Sequence, residues 1–199
     1  VNNLPQGYLG GGKLNGCVPL CTTLQLKQAN GVANLTELSW QVDNQSFSGN
    51  QFFYCFNQAG DYQITGYLKD ANLCVNTITT QVKVFPKPKA EFDFTPQQPV
   101  ENFDEVQFSG LSDAAISYDW NFGSVNFNSS LQNPTYIFEN TGYYPIALVV
   151  HNQWYCSDTI IKTIYVEPDF AVYVPNAFTP NEDGLNELFI PVLRGNKSF

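Results

Sequence analysis

The 199-residue chain has no methionine, a single histidine, and half as many basic as acidic side chains, 9 Lys and Arg against 18 Asp and Glu for a net charge of −9. Each shortage excludes something. A lone His151, on or just past a strand, leaves little for the Ser or Cys nucleophile systems that need an imidazole beside the nucleophile, and there is no Gly-x-Ser-x-Gly; an enzyme is not expected. Glu101, Asp104 and Glu105 cluster, but in a turn where no groove for glycoside chemistry is implied. With no basic cluster beyond Lys87 and Lys89, the footprint that phosphate backbones require is missing, and nucleic acid is excluded as a partner. No apolar run approaches the ~20 residues that span a bilayer, and the N-terminus lacks a basic, apolar, small-residue signal pattern. Direct membrane insertion is therefore not expected, and the acidic surface disfavours anionic lipid. The missing methionine suggests an internal piece of a longer precursor.

What the chain does have is apolar bulk: 43% hydrophobic and 15% aromatic residues, which argue against disorder. The length suffices for one or two domains with real cores. Aromatic and β-branched residues dominate, Gly and Pro recur at short intervals, and no segment keeps a helical apolar period for three turns. The fold class read from this is all-β.

The chain also repeats itself. Asn57-Gln58-Ala59-Gly60-Asp61-Tyr62-Gln63-Ile64 aligns with Glu139-Asn140-Thr141-Gly142-Tyr143-Tyr144-Pro145-Ile146, and Cys74 with Cys156, all at an offset of 82 residues. Each copy has a tryptophan in an earlier short strand, Trp40 or Trp120, and closes on an alternating strand, Thr77 to Phe85 or Thr159 to Glu167. Residues 17–86 and 87–167 are thus expected as two homologous modules. Phe85-Pro86-Lys87-Pro88-Lys89 reads as a stiff extended connector, so the modules are expected in a row, with no cleft between them large enough for an active site. Residues 1–16, with Gly10-Gly11-Gly12, read as a linker from an upstream module. Residues 168–199 follow a second joint at Glu167-Pro168-Asp169.

Within the second module the Gly142 to Val150 pattern reads as a strand with Tyr144, Ile146, Leu148 and Val150 on one face. Trp40 and Trp120 are expected as core plugs on the facing sheet. Trp154 and Tyr155 differ, because they fall at a loop tip where a side chain has less reason to be buried, and they are the candidate exposed contact site.

Five cysteines are present: Cys17, Cys21, Cys55 and Cys74 in the first module and Cys156 alone in the second. Four cysteines allow three pairings. Cys17 with Cys74, and Cys21 with Cys55 across the sandwich, are the favoured pairs, leaving Cys156 as a buried thiol. A zinc site prefers Cys-x-x-Cys spacings, which Cys17 and Cys21 miss.

Two resemblances rest on these residues. Tyr118-Asp119-Trp120-Asn121-Phe122-Gly123, Asn133-Pro134-Thr135-Tyr136 and Gly142 to Val150 resemble the PKD (polycystic kidney disease) domain, an immunoglobulin-like β-sandwich strung in tandem in extracellular proteins. In this chain the family's Trp-Asp-Phe-Gly-Asp-Gly loop lacks its Asp-Gly turn in both modules. Tyr173-Val174-Pro175-Asn176-Ala177-Phe178-Thr179-Pro180-Asn181-Glu182-Asp183-Gly184-Leu185-Asn186-Glu187-Leu188-Phe189 resembles the opening of the type B C-terminal sorting domain of the gliding-motility-associated family of Bacteroidota. Glu182 and Glu187 depart from the usual Gly and Asp, and the domain's later strands are missing.

The sorting resemblance implies the N-terminal part of a third β-sandwich, export through the periplasm by the type IX secretion system, and the outer-membrane translocon and its shuttle proteins as partners. Its recognition residues would be Pro175, Asn176, Phe178, Thr179, Pro180, Asn181, Asp183, Gly184 and Asn186. It places the chain at the outer cell surface or beyond. The expected role is the stalk and sorting region of a large surface adhesin. The alternatives are the tail of a secreted polysaccharide hydrolase or peptidase, and a module that itself binds surface glycans.

No cofactor is expected unless Asn181, Asp183 and Asn186, grouped around Gly184, form a calcium loop. The competing reading is a set of hydrogen-bonded Asx turns that need no metal. A calcium loop here raises the thermal midpoint of the chain in millimolar calcium, whereas Asx turns alone leave it unchanged.

Overall fold

A computed structural model describes residues 4–29, 35–123, 128–173 and 192–194, with Ala171–Tyr173 and Val192–Arg194 described by backbone alone. The regular elements among them are all β-strands, as the periodicity predicts. The chain divides into two compact units, residues 1–88 together with 152–156, and residues 89–151 together with 157–199.

The first unit contains β1 (Gly7–Gly10), β2 (Asn15–Cys17), β3 (Leu20–Gln28), β4 (Leu35–Val42), β5 (Gln45–Ser48), β6 (Gln51–Phe56), β7 (Gly60–Asp70) and β8 (Val75–Phe85). They form a three-stranded sheet ordered β1-β3-β6 and a five-stranded sheet ordered β2-β8-β7-β4-β5. In β3 the apolar residues fall on alternate positions, so Leu20, Leu24 and Leu26 share one face of the pleat and are buried. They pack with Phe52 and Phe56 of β6 against Trp40, Val42, Ile64, Leu68, Val82 and Val84 of the larger sheet. Ring contacts carry this packing, with Trp40 lying 4.8 Å from Phe52, centroid to centroid.

The second unit contains β9 (Phe92–Thr95), β10 (Glu105–Gly110), β11 (Ser117–Asn121), β12 (Asn128–Ser129), β13 (Thr135–Ile137), β14 (Gly142–His151) and β15 (Ser157–Val166). Its sheets are ordered β13-β10-β9 and β12-β11-β14-β15. Ile146, Leu148 and Val150 of β14 are fully buried, with Tyr144 partly buried behind them on the same face. Trp120 joins the sheets, its ring 5.1 Å from Phe92 and 5.5 Å from Phe108. A separate pair, β16 (Ala171–Tyr173) and β17 (Val192–Arg194), is antiparallel.

The repeat seen in the sequence has hydrogen bonds to match. Both tryptophans are buried, and each satisfies its indole N–H on a backbone carbonyl: Trp40 Nε1 donates to Gly49 O at 3.0 Å and Trp120 Nε1 to Leu131 O at 2.8 Å. Tyr62 Oη donates to Gln58 O at 2.9 Å, and Tyr144 Oη to Asn140 O at 2.8 Å. Both bonds reach four residues back, the corner geometry of immunoglobulin-like sandwiches.

Three expectations are corrected. Residues 7–16 are not linker: β1 pairs with β3, and β2 runs parallel to β8. Gly10 ends β1 and Gly11 and Gly12 open the turn to β2; at Gly12, with φ of 65°, a Cβ would sit 2.2 Å from Thr22 Oγ1 and 2.6 Å from Thr23 O. Cys21 and Cys55 do pair, but as directly opposed residues of neighbouring strands β3 and β6 in one sheet, not across the sandwich. Cys17 cannot reach Cys74. Cys17 pairs with Phe85 at the end of β8, while Cys74 precedes Val75 at its start. An 11-residue strand separates them, roughly 33 Å at the strand rise, against a reach of about 7 Å between bridged Cα atoms.

Removing the Tyr144 hydroxyl tests the corner. Tyr144→Phe is expected to lower unfolding free energy by about 1 kcal/mol in a denaturant titration. Burial, followed by the neighbouring Tyr136 and Glu101, raises the phenol above its ordinary 10.0. Its contribution is therefore full below pH 10 and is lost as pH rises through the folded value. The difference in stability between wild type and Tyr144→Phe should shrink in that alkaline window.

Candidate functional site at the Asn152–Cys156 loop

The candidate contact pair lies in the five-residue loop between β14 and β15. A buried Asn152 organises it: its Oδ1 accepts the N–H of Trp154 at 3.1 Å and of Cys156 at 3.0 Å, while its own N–H donates to Cys156 O at 3.0 Å. Tyr155 N–H donates to Asn152 O at 2.9 Å, and Tyr155 takes a φ of 59°, which turns the chain back on itself. This closed Asx loop is part of the first unit. Three contacts hold it there: Asn152 Nδ2 donates to Pro86 O at 2.7 Å, Trp154 stacks on Phe85 at 5.5 Å and 9°, and Cys156 is bonded to Cys17.

The two aromatic residues consequently differ. Trp154 gives one face to Phe85 and remains 38% exposed, whereas Tyr155 projects from the tip at 88% exposure. Of the two residues expected as an exposed contact site, Trp154 packs on Phe85 and Tyr155 stands clear. Cys156, expected as a buried thiol, is buried but disulfide-bonded, and the free cysteine is Cys74.

The same loop exists once more, 82 residues earlier. Asp70 Oδ1 accepts the N–H of Asn72 and of Cys74, both at 2.9 Å, while Asp70 N–H donates to Cys74 O and Leu73 N–H to Asp70 O, both at 3.1 Å. Leu73 has a φ of 64°, matching Tyr155. Sequence reasoning aligned the two cysteines but missed the anchors Asp70 and Asn152. The signal was present as Asx-x-x-x-Cys at both places.

The remaining candidates are placed as follows. His151 Nδ1 lies 3.6 Å from Asp119 Oδ2 on the adjacent strand. The acidic cluster is engaged in structure: Asp104 Oδ2 accepts Val100 N–H at 2.8 Å, Glu105 Oε1 accepts the Thr135 hydroxyl at 2.9 Å, and Glu101 accepts Thr141 N–H. No group of three or more His, Cys, Asp or Glu among the described residues is arranged to hold a metal. Pro175, Asn176, Phe178, Thr179, Pro180, Asn181, Asp183, Gly184 and Asn186, and with them the calcium candidates, lie outside the described residues.

Residues 86–167 match the PKD domain family. The PKD segment takes in residues 89–151 and 157–167 of the second unit and residues 86–88 and 152–156 of the first. No match to the chain is found among curated proteins.

Solved structures similar to the chain include fibronectin(III)-like modules of Clostridium thermocellum CbhA, 9% identical, covering 81% of this chain and 94% of that one with a TM-score of 0.41. A 1.5-MDa bacterial ice-binding adhesin is 5% identical over 84% of this chain and 66% of that one, TM-score 0.38. A Bacteroides ovatus protein, SGBP-B of a mixed-linkage glucan utilization locus, is 13% identical over 83% and 48%, TM-score 0.35.

Disulfide mapping of the unreduced chain checks the loop's bonding. One linked peptide should contain Cys17 with Cys156, a second Cys21 with Cys55, and alkylation should label Cys74 alone. A Cys17–Cys74 peptide would contradict the arrangement.

Proposed function

We propose that this chain is the stalk and sorting region of a large cell-surface adhesin exported by a type IX secretion system, with no catalytic role of its own. The observation that carries the reading is the run from Tyr173 to Phe189, with its Pro-Asn-Ala-Phe-Thr-Pro-Asn core and Asp183-Gly184 turn in the order of type B sorting domains. The rest of the chain supports it. A PKD segment ends at residue 167, a few residues before that run. Two disulfides fit an oxidising compartment outside the cytoplasm. The clustered carboxylates serve structure: Asp104 holds the Val100 N–H of a turn and Glu105 the Thr135 hydroxyl of the neighbouring strand. In this reading the outer-membrane translocon and its shuttle proteins take up residues 175–186, and the sandwiches upstream hold the adhesive part away from the membrane.

A second reading, glycan binding, is favoured by one observation, the 88% exposure of Tyr155 at a rigid loop tip. Sugars stack on such rings, and a fixed backbone spares the ordering cost of binding.

An antibody to the chain should label intact cells of the producing bacterium and fail to label a strain without the translocon, where the protein stays in the periplasmic fraction. Replacing Asn176 and Asp183 by Ala in the full-length protein should abolish surface label while leaving total protein unchanged. Equal surface label in all three strains removes the export reading. Glycan-array binding that disappears in Tyr155→Ala would establish the second reading, and an array silent for the wild type would end it.

A further inference from the structure

The two Asx loops match bond for bond, yet only one has a covalent partner. Cys156 ends the later loop and is bonded to Cys17. Cys17 owes its position to β2, which runs parallel to β8 and sets Cys17 opposite Phe85, the last residue of the closing strand. Hence the rule visible in this molecule: a cysteine ending the loop of one repeat bonds a cysteine beside the last residue of the preceding repeat's closing strand. Cys74 ends the earlier loop in the same geometry, with the same anchor and the same positive φ at the residue before it. No cysteine of its own repeat satisfies the rule, because Cys17 sits at the far end of β8 and is taken by Cys156.

Cys74 is a half-buried free thiol, flanked by Leu73 at 73% exposure and Val75 at 49%. Asn76 Nδ2 donates to Pro5 O at 2.8 Å, which keeps the segment after Leu4, itself 55% exposed, beside the start of β8. An apolar rim around an available thiol, on a loop whose duplicate is already bonded, is a bonding site lacking its partner.

We propose that Cys74 forms a disulfide with a cysteine of another sandwich module of this kind, one placed beside the last residue of that module's closing strand as Cys17 is placed beside Phe85. The partner is thus a β-sandwich in which a short strand ending in cysteine runs parallel to the closing strand, as β2 does here. Two thiols give up two protons and two electrons as the S–S bond forms, and a small-molecule or protein disulfide accepts both, its own S–S bond being reduced to two thiols. The inference stands on the duplicated loop and the Cys17–Cys156 bond, independently of the adhesin reading.

The test gives Cys74 a partner of known structure: a second copy of residues 4–88 fused ahead of Leu4 of the full chain, oxidised with glutathione disulfide, then mapped by alkylation and peptide mass. The expected product links Cys17 of the added copy to Cys74 of the original chain and leaves only the added copy's Cys74 alkylated. Replacing the added copy's Cys17 by Ser should return the original Cys74 to the alkylated pool. If the added copy forms its Cys21–Cys55 bond and the original Cys74 is still fully alkylated, or if the added Cys17 bonds Cys74 of its own copy, the proposal is overturned.

A second measurement needs no fusion. The native unfused chain should titrate one thiol with 5,5′-dithiobis(2-nitrobenzoic acid), absent in Cys74→Ser. A Cys74 silent until denaturant is added overturns the proposal, because no partner could reach it.

Discussion

Each unit of this protein depends on one buried indole that must satisfy two demands together. Trp40 and Trp120 fill the space between facing sheets, where their rings meet phenylalanines of the opposite layer. Their N–H groups cannot be left without a partner in that apolar setting. Each is answered by a carbonyl from the segment that follows its strand, Gly49 or Leu131, so that segment must return across the indole's edge. The tyrosine corners repeat the device, with Tyr62 and Tyr144 packing partly buried rings against the two cores and reaching back for a carbonyl four residues upstream. Large aromatic side chains thus set the separation of the sheets, and their polar ends set the path of the loops.

That economy explains what the sequence disclosed and what it hid. Strand periodicity, the tryptophan plugs and the offset of 82 residues are local or pairwise patterns, and all three have direct structural counterparts. The Cys17 partner was not legible, because it depends on β2 running parallel to β8. Three residues, Asn15 to Cys17, are too few to announce a strand, let alone its direction. Gly10-Gly11-Gly12 looks like linker composition, yet Gly11 and Gly12 serve close approach to Thr22 and Thr23 of β3, a requirement that only the tertiary structure reveals. The sorting-like run is the reverse case, clear as a string of residue types and, past Tyr173, outside the described structure.

The loops at Asp70 and Asn152 show how one backbone design takes different tasks through single substitutions. Both use a buried side-chain oxygen to gather two N–H groups. Only the amide of Asn152 has a donor to spare, and it goes to Pro86 O. An aspartate at that position cannot make the contact. Trp154 and Tyr155 likewise stand where the earlier loop has Asn72 and Leu73, so stacking on Phe85 belongs to the later loop alone.

The Cys17–Cys156 bond spans 139 positions of sequence. A pulling force applied at the two chain ends passes through the sulfur atoms and skips everything between them. Roughly 450–500 Å of contour, at the reach of an extended chain, is therefore withheld from stretching while the bond is intact. What can unravel under tension on the C-terminal side is confined to the chain after Cys156, where β15 can peel from β14. Reducing conditions would turn a short tether into a long one without changing a single residue.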